Sequence, residues 1–182
     1  MADSPVSSVS GLVETYRDMA ERNPRDRYLL HSLLMAYLFQ KSYDEGIGEF
    51  GKIVKKDDKN GHAHFCLAVI LEKGGYFDDC IREYMSTIQL DPDQDLAYLF
   101  LSTRYLLKGE WDNAETIAEL GLTKFPETER LNFNLGYACA QKRLFDKAIM
   151  AFKREIEISP QCQEAYFNLD LIRKSQAGPS KN

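Results

Sequence analysis

The sequence repeats itself with a period of 34 residues. The most regular element is an aromatic residue followed by aspartate, at Tyr43-Asp44, Phe77-Asp78, Trp111-Asp112 and Phe145-Asp146. Proline recurs with the same spacing, at Pro24, Pro92, Pro126 and Pro160, and Asp58 occupies the one position of this series that has no proline. A fixed period of this length is typical of a chain that stacks small identical units, each contacting only its neighbours. Such a chain usually offers an extended binding surface and no enclosed catalytic pocket.

Each unit carries two helical patterns. The full units are 27-60, 61-94, 95-128 and 129-162, and half of a further unit lies at either end. One leucine recurs in every first helix, at Leu33, Leu67, Leu101, Leu135 and Leu169, with apolar residues three or four positions away. This period of about 3.6 residues predicts helices with one face turned to a core. In the second helices a small residue recurs where paired helices would approach closely, at Gly46, Cys80, Ala114 and Ala148.

Helix start and stop signals set the predicted boundaries. Each second helix is expected to begin at the Asp of the aromatic-Asp pair, whose carboxylate would accept hydrogen bonds from free backbone N–H groups. The prolines should end these helices, because proline lacks an N–H and disfavours helix in the residue before it. The predicted helices are 8-22, 27-40, 44-57, 61-73, 78-90, 95-108, 112-124, 129-142, 146-158 and 163-175.

The repeated unit resembles the tetratricopeptide repeat. The fourth unit, ERLNFNLGYACAQKRLFDKAIMAFKREIEISPQC, matches that family's signature best, at Leu135-Gly136, Phe145-Asp146, Ala148, Phe152 and Pro160. The first unit departs from it at Leu34, Gly46 and Asp58. The resemblance covers residues 8-175 and implies an all-α solenoid of antiparallel helix pairs, stacked into a right-handed superhelix. The first helices would line its concave wall.

The half-units are expected to cap a single solenoid domain, 8-175. In helix 8-22 we expect Leu12, Tyr16 and Met19 to face inward. In helix 163-175 the inward residues would be Tyr166, Leu169 and Ile172, and the outer face would be polar. The short polar tails 1-7 and 176-182 are expected to be disordered.

The architecture implied by the resemblance predicts which side chains face the concave groove. The predicted partner-binding residues are Tyr28, His31, Met35, Leu38, Phe39, His62, Phe65, Val69, Leu96, Leu99, Thr103, Phe133, Tyr137 and Phe167, with Glu72, Leu106 and Leu171 on the same helix stripes. Most of these residues are apolar. The alternative interpretation is that many of them are ordinary core residues, because a shift of one position in the register would turn part of the set inward.

One branch of the family holds the C-terminal carboxylate of chaperone tails with Lys and Asn four residues apart on the first helices. This chain has His31 and Met35 there, then Phe65 and Val69, which argues against that mode. The apolar wall favours an adaptor or scaffold that binds a peptide or protein segment through hydrophobic anchors. Two alternatives stay open: a second copy of the chain could fill the groove, giving a homodimer, or the protein could hold apolar client segments as a chaperone.

Composition narrows the class of partner. A formal net charge of -5 and a pI near 5.3 argue against nucleic acid, which binds to clustered Lys and Arg. The one basic stretch, Lys52 to Lys59, lies at a helix end, where positive charge is favourable without any ligand. Neither a signal peptide nor an apolar run of about 20 residues occurs, so we expect a cytoplasmic protein without membrane insertion. Cys66, Cys80, Cys139 and Cys162 lack metal-binding spacing and should be free thiols.

No motif predicts catalysis or a cofactor. The sequence lacks GxSxG, GxxxxGK[ST], HExxH and GxGxxG, so we expect a protein that is not an enzyme. His31 and His62 could face each other on adjacent first helices, whereas His64 lies about 200 degrees round from His62. A metal ion needs further ligands, and neither Glu72 nor Cys66 has a convincing spacing. We therefore predict no metal site.

Overall fold

The computed structural model describes residues 9–177, which form ten α-helices and no strand. The expected tail 1-7 and most of the expected tail 176-182 lie outside these residues, whereas 176 and 177 belong to the last helix. The helices are α1 (Val9–Arg22), α2 (Arg27–Gln40), α3 (Tyr43–Lys56), α4 (Gly61–Gly74), α5 (Phe77–Leu90), α6 (Asp95–Lys108), α7 (Trp111–Lys124), α8 (Leu131–Gln141), α9 (Phe145–Ile158) and α10 (Gln163–Ala177). The boundaries predicted from the repeat lie within two residues of these. The helices group into two compact units, α1 to α5 and α6 to α10, and the boundary in the sequence falls between Gln94 and Asp95.

The second helices begin one residue earlier than predicted, at the aromatic residue of each pair. The N-cap positions fall on Ser42, Tyr76, Glu110 and Leu144, and none makes a side-chain cap bond. The capping role predicted for the aspartates is therefore wrong. Asp44 is the second residue of α3 and accepts a hydrogen bond from the Tyr76 hydroxyl at 3.2 Å. Its position in the first turn still favours a negative charge, because the positive end of the helix dipole lies there.

The turn between the two helices of each repeat uses the same backbone conformation four times. Gly75 and Gly109 have φ of 87° and 75°, and Lys41 and Arg143, at the same repeat position, have φ of 58° and 60°. This left-handed conformation ends the first helix and suits glycine best. The repeat geometry therefore imposes it even where the residue is unfavourable.

The first unit, α1 to α5, buries one side of each helix. The predicted inward leucines Leu33 and Leu67 are both buried. Tyr37 packs edge to face against Phe50 with ring centroids 6.5 Å apart, and its hydroxyl accepts a hydrogen bond from the Arg17 guanidinium at 2.9 Å. In the N-terminal helix the inward residues are Val13 and Ala20. Met19, predicted to be inward, is exposed.

The second unit, α6 to α10, has the same organisation. Its repeat leucines Leu101, Leu135 and Leu169 are buried as predicted. A β-carbon on Gly136 would lie 2.8 Å from the Phe152 ring, so the glycine leaves the space into which this ring of α9 packs against α8. Ile172 of α10 is buried, but Tyr166, which was expected to be inward, is exposed, and Ala165 takes the core position beside it.

Candidate protein-interaction surface

An open apolar groove runs between α1 and α2 in the first unit. Its volume is about 500 Å³. The residues that line it, called the α1–α2 groove below, are Leu12, Tyr16, His31, Ser32, Met35, Ala36 and Phe39. Three of them, His31, Met35 and Phe39, belong to the predicted binding set. Leu12 and Tyr16 were expected to be core residues; both are half-buried in the groove wall.

The repeat explains why this groove is open. Adding 34 to the positions of His31 and Ser32 gives Phe65 and Cys66 of α4, and both of these are buried. The α4 helix packs against α2, α3 and α5, so a first helix of the preceding repeat covers that face. Within residues 9–177, the corresponding face of α2 has α1 beside it and no first helix of a preceding repeat. The groove is thus the position that one more first helix would occupy in a longer stack.

Large apolar side chains surround this groove and are exposed to solvent. The exposed fraction is 87% for Tyr28, 76% for Phe39 and 51% for Met35. Single exposed apolar residues are normal on a protein surface, whereas a contiguous group beside a groove marks an interaction site. The three lie on one helix, α2, at positions that the sequence predicts to be in contact with a partner.

Two residues of the predicted set are not accessible. His62 is 8% exposed and Phe65 is 3% exposed, so the prediction that they form an open surface is wrong. Their rings stack on each other with centroids 5.9 Å apart, and Phe65 also packs against Tyr84. All residues from 61 to 68 are buried, because α4 is enclosed by α2, α3 and α5. Val69 of α4 and Leu38 of α2 are half-buried.

The second unit has a pocket of its own, of about 630 Å³. Leu96, Leu99 and Phe125 supply its apolar lining, and Asp95 and Glu129 are among the acidic residues at its edge. Only Leu96 and Leu99 come from the predicted set. Thr103 lies outside the pocket lining; its hydroxyl donates to the Leu99 carbonyl oxygen at 2.8 Å and accepts from the Asn134 amide at 2.9 Å.

The predicted aromatic residues of α8 are packed within the second unit. Phe133 stacks on Tyr137 with centroids 6.2 Å apart, and the Arg130 guanidinium lies 4.4 Å from the centre of the Phe133 ring. Tyr137 in turn contacts Trp111. Both predicted residues are half-buried, so this cluster mainly stabilises α8. Phe167 of α10 is separate from it and exposed.

The charged side chains form structural ion pairs. Glu115 accepts hydrogen bonds from the ammonium groups of Lys142 and Lys147, and these bonds hold the pKa of the Glu115 carboxyl below its usual value. Cys66, Cys80, Cys139 and Cys162 are buried, and none of them forms a disulfide bond. Burial raises the pKa of the Cys139 thiol to about 11, so it is protonated at neutral pH. Among residues 9–177, no three His, Cys, Asp or Glu side chains are grouped so that they could bind a metal ion. No helix in that range is long and apolar enough to cross a bilayer.

Comparisons with known proteins agree on the fold. The sequence model of the tetratricopeptide repeat matches residues 129–162. Solved structures with the same fold include MamA residues 41 to the end from Desulfovibrio magneticus RS-1, with 14% identity, a TM-score of 0.73, and coverage of 83% of this chain and 85% of that MamA fragment. No curated protein sequence matches the chain significantly.

Two further structures are described by what they bind. YrrB is a tetratricopeptide-repeat protein with an unusual peptide-binding site; it is 18% identical, with a TM-score of 0.70 and coverage of 88% of this chain and 82% of YrrB. The first such domain of Spaghetti (RPAP3), solved with the HSP90 peptide SRMEEVD, is 20% identical, with a TM-score of 0.57 and coverage of 60% of this chain and 89% of that one. At these identities the likeness establishes the fold.

Proposed function

We propose that this chain, which has the tetratricopeptide-repeat fold, is an interaction adaptor that binds an amphipathic helix of a partner protein in the α1–α2 groove. The observation that carries the proposal is the open helix position on α2. A tetratricopeptide-repeat fold packs first helices side by side, and no helix of residues 9–177 covers one such face of α2.

The shape and chemistry of the groove favour a helical ligand. A helix presents anchors at positions i, i+3, i+4 and i+7, and that pattern suits a groove formed between two helices. His31, Met35 and Phe39 follow each other at intervals of four residues on α2, so their side chains form one stripe along the groove. An apolar stripe on the partner would therefore contact this stripe along its whole length.

The free energy gained by burying the apolar anchors sets the expected affinity. Full burial of one large apolar side chain contributes about 1.5 to 3 kcal/mol, so four anchors contribute roughly 6 to 12 kcal/mol in total. Association costs on the order of 4 kcal/mol or more. The remaining free energy, at most about -8 kcal/mol, corresponds to micromolar binding. The contact is therefore transient and exchanges partners readily.

The related structures support peptide binding as a use of this fold, since YrrB and the RPAP3 domain are both described with peptides. The ligand class differs here from a C-terminal carboxylate. His31 and Met35 stand at the paired positions where that mode requires Lys and Asn, and the next pair, Phe65 and Val69, is apolar. An apolar helix face is the ligand that these side chains accommodate. A cytoplasmic location and a role without catalysis accompany this proposal.

The test compares two synthetic peptides by fluorescence polarisation. One has 16 residues with apolar side chains at i, i+3, i+4 and i+7; the other has the same composition with this periodicity scrambled. We expect the patterned peptide to bind at micromolar concentration. The double variant Met35→Ser, Phe39→Ser should weaken it at least tenfold, and a matched double variant at exposed apolar positions elsewhere, Leu107→Ser, Met150→Ser, should not.

Equal binding of the two peptides, or equal binding by the two double variants, would overturn the proposal. Light scattering over a range of protein concentrations tests the homodimer alternative. If a second copy fills the groove, the mass rises with concentration in the wild type and in the Leu107, Met150 variant, and the Met35, Phe39 variant stays monomeric.

A further inference from the structure

A second pocket in the first unit lies where three inter-helix turns converge. Residues from the α1–α2, α3–α4 and α5–α6 turns enclose about 240 Å³. The lining, called the turn pocket below, is Arg25, Arg27, Lys59, Asn60, Gly61, His62, Leu90 and Asp91. None of these residues belongs to the α1–α2 groove, and the proposed adaptor function does not use them.

The turn pocket is rich in positive charge in a protein that is acidic overall. Arg25, Arg27 and Lys59 line it with a single carboxylate, Asp91. Arg27 lies 3.3 Å from that carboxylate, and Arg25 is paired with Asp57 at 2.6 Å. Lys59 is exposed and takes part in no ion pair among residues 9–177. Positive charge therefore exceeds negative charge at the pocket surface.

The N-terminus of α4 forms one wall of the same pocket. This helix has 14 residues and begins at Gly61, after the N-cap residue Asn60. The Asn60 side chain accepts from the Ala63 N–H at 3.1 Å and donates to the Pro24 carbonyl oxygen at 2.7 Å, so it fixes the turn at the pocket edge. The first turn of a helix carries a partial positive charge and attracts anions.

His62, in that first turn, supplies an independent indication of a ligand. Its side chain is more than nine-tenths buried and lines the pocket, and neither ring nitrogen makes a hydrogen bond to the described residues. The Arg27 backbone slightly raises the pKa of the His62 ring, but its position relative to the ring does not meet the geometry of a hydrogen bond. Buried polar groups without partners are rare in folded proteins, because each costs free energy.

From this combination we propose that the turn pocket binds a small oxyanion of the phosphate type. Arg27 and Lys59 would supply charge-assisted hydrogen bonds, and a His62 ring N–H would donate to an anion oxygen. The phosphate group can be free in solution or attached to serine in another molecule; the recognising chemistry is the same.

Proton uptake accompanies binding in this pocket. Burial, Arg27 and His31 lower the pKa of the His62 imidazole to about 4, while Asp91 raises it, so the ring is neutral in the empty pocket at neutral pH. A dianion beside the ring favours its protonated form. Binding of the anion should therefore tighten as the pH falls from 7 toward 5. Sulfate is the useful probe, because its own charge stays constant over that range.

The experiment titrates the full chain with sodium sulfate, inorganic phosphate or an N-acetyl phosphoserine amide and follows the ring resonances of His62 by NMR. Sodium chloride at equal ionic strength is the reference. We expect saturable shifts with the oxyanions and at least tenfold weaker binding by Arg27→Gln and by Lys59→Gln. Lys153→Gln, which removes one charge from an exposed site in α9, is the matched control and should bind as the wild type does.

The relative affinities of the probes distinguish the two sources of the phosphate group. A tenfold preference for the phosphoserine amide identifies an attached phosphate as the ligand, and a preference for inorganic phosphate identifies the free ion. Chloride shifts equal to the sulfate shifts, or equal sulfate binding by Lys59→Gln and Lys153→Gln, would overturn the proposal. His62→Phe keeps the stacking on Phe65 and should abolish the pH dependence of binding, which a mere structural role of this residue would not alter.

Discussion

The Nδ1 atom of His64 lies 2.6 Å from a carboxylate oxygen of Glu83, and its Nε2 atom lies 3.0 Å from the backbone carbonyl oxygen of Asp58. The carbonyl oxygen and the ionised carboxylate can only accept, so both ring nitrogens must carry protons for the two bonds to form. The hydrogen bond to Glu83 is the main cause that raises the pKa of the His64 imidazole; burial opposes it. In its protonated form this buried ring thus connects α4 to α5 through the Glu83 carboxylate.

The variant Glu83→Gln should be less stable than the wild type at pH 6, and this difference should become smaller at high pH. The folded-state pKa of His64 is raised, so its contribution is fully present below the unfolded value of about 6.5 and disappears as the pH rises through the folded value. We expect Glu83→Gln to lower the free energy of unfolding by about 1.5 to 3 kcal/mol at pH 6 and by less at pH 9. Urea unfolding at both values measures this.

The matched variant is Glu14→Gln, at an exposed glutamate of α1. It should change the free energy of unfolding by less than about 0.5 kcal/mol at either pH. A Glu83→Gln deficit that is as large at pH 9 as at pH 6 would show that His64 is neutral in the folded protein.

The left-handed turn position gives a second prediction. A non-glycine residue there costs about 1 kcal/mol or more, whereas glycine is unstrained. Gly75→Ala should therefore destabilise the protein by about 1 kcal/mol, although a β-carbon at Gly75 has no atom within 4 Å. Lys41→Gly, at the same repeat position, should stabilise it. Thermal unfolding of the two variants should shift in opposite directions; shifts of the same sign would contradict this.

The 34-residue period was enough to predict the helices, because each repeated position performs the same packing task in every unit. The buried leucines follow from it, as do the turns. The predicted capping by Asp44 and its equivalents failed for a local reason: an aromatic residue just before the Asp already adopts helical dihedrals, which moves the carboxylate one position into the helix. Sequence spacing alone does not determine which of two adjacent residues begins a helix.

Only part of the surface could be predicted. The register correctly placed Met35 and Phe39 on an open face of α2, but the corresponding face of α4 is covered by α2 itself, which buries Phe65. The difference is that, among the helices of residues 9–177, a first helix of the preceding repeat lies beside α4 and none lies beside α2. A repeat pattern gives every unit the same residues to expose, so it cannot distinguish an end unit from an inner one. Leu12 and Tyr16 were placed in the core for the same reason.

Two glycines in helices should respond to alanine in opposite ways. Gly48 in α3 has no atom within 4 Å of a built β-carbon, so Gly48→Ala should stabilise the protein by about 1 kcal/mol through helix propensity. At Gly136 the β-carbon would lie 2.8 Å from two atoms of the Phe152 ring. The ring is fully buried and cannot move freely, so Gly136→Ala should destabilise by about 1 to 3 kcal/mol. Urea unfolding tests both; stabilisation by Gly136→Ala would refute the close helix approach.

Glu155 of α9 caps the start of α8 from inside the core. Its side chain is fully buried; Oε1 accepts from the Arg130 N–H at 2.7 Å, and Oε2 accepts from the Phe133 N–H at 3.2 Å. These two hydrogen bonds satisfy backbone N–H groups at the start of α8. The helix begins at Leu131, two residues later than predicted, directly after Arg130 in a left-handed conformation. Loss of the carboxylate leaves two N–H groups without an acceptor in the protein interior.

Glu155→Ala should therefore lower the free energy of unfolding by about 3 kcal/mol, since each unsatisfied buried group costs about 1 to 3 kcal/mol. Amide hydrogen exchange at Arg130 and Phe133 should accelerate in the same variant. Glu157→Ala, two residues away on the same helix, removes an exposed carboxylate that pairs with Arg154 and should cost less than about 1 kcal/mol. Equal losses in the two variants would mean that α8 starts without help from α9. A large loss confined to Glu155→Ala, with faster exchange at both amides, is the result that its burial and bond geometry require.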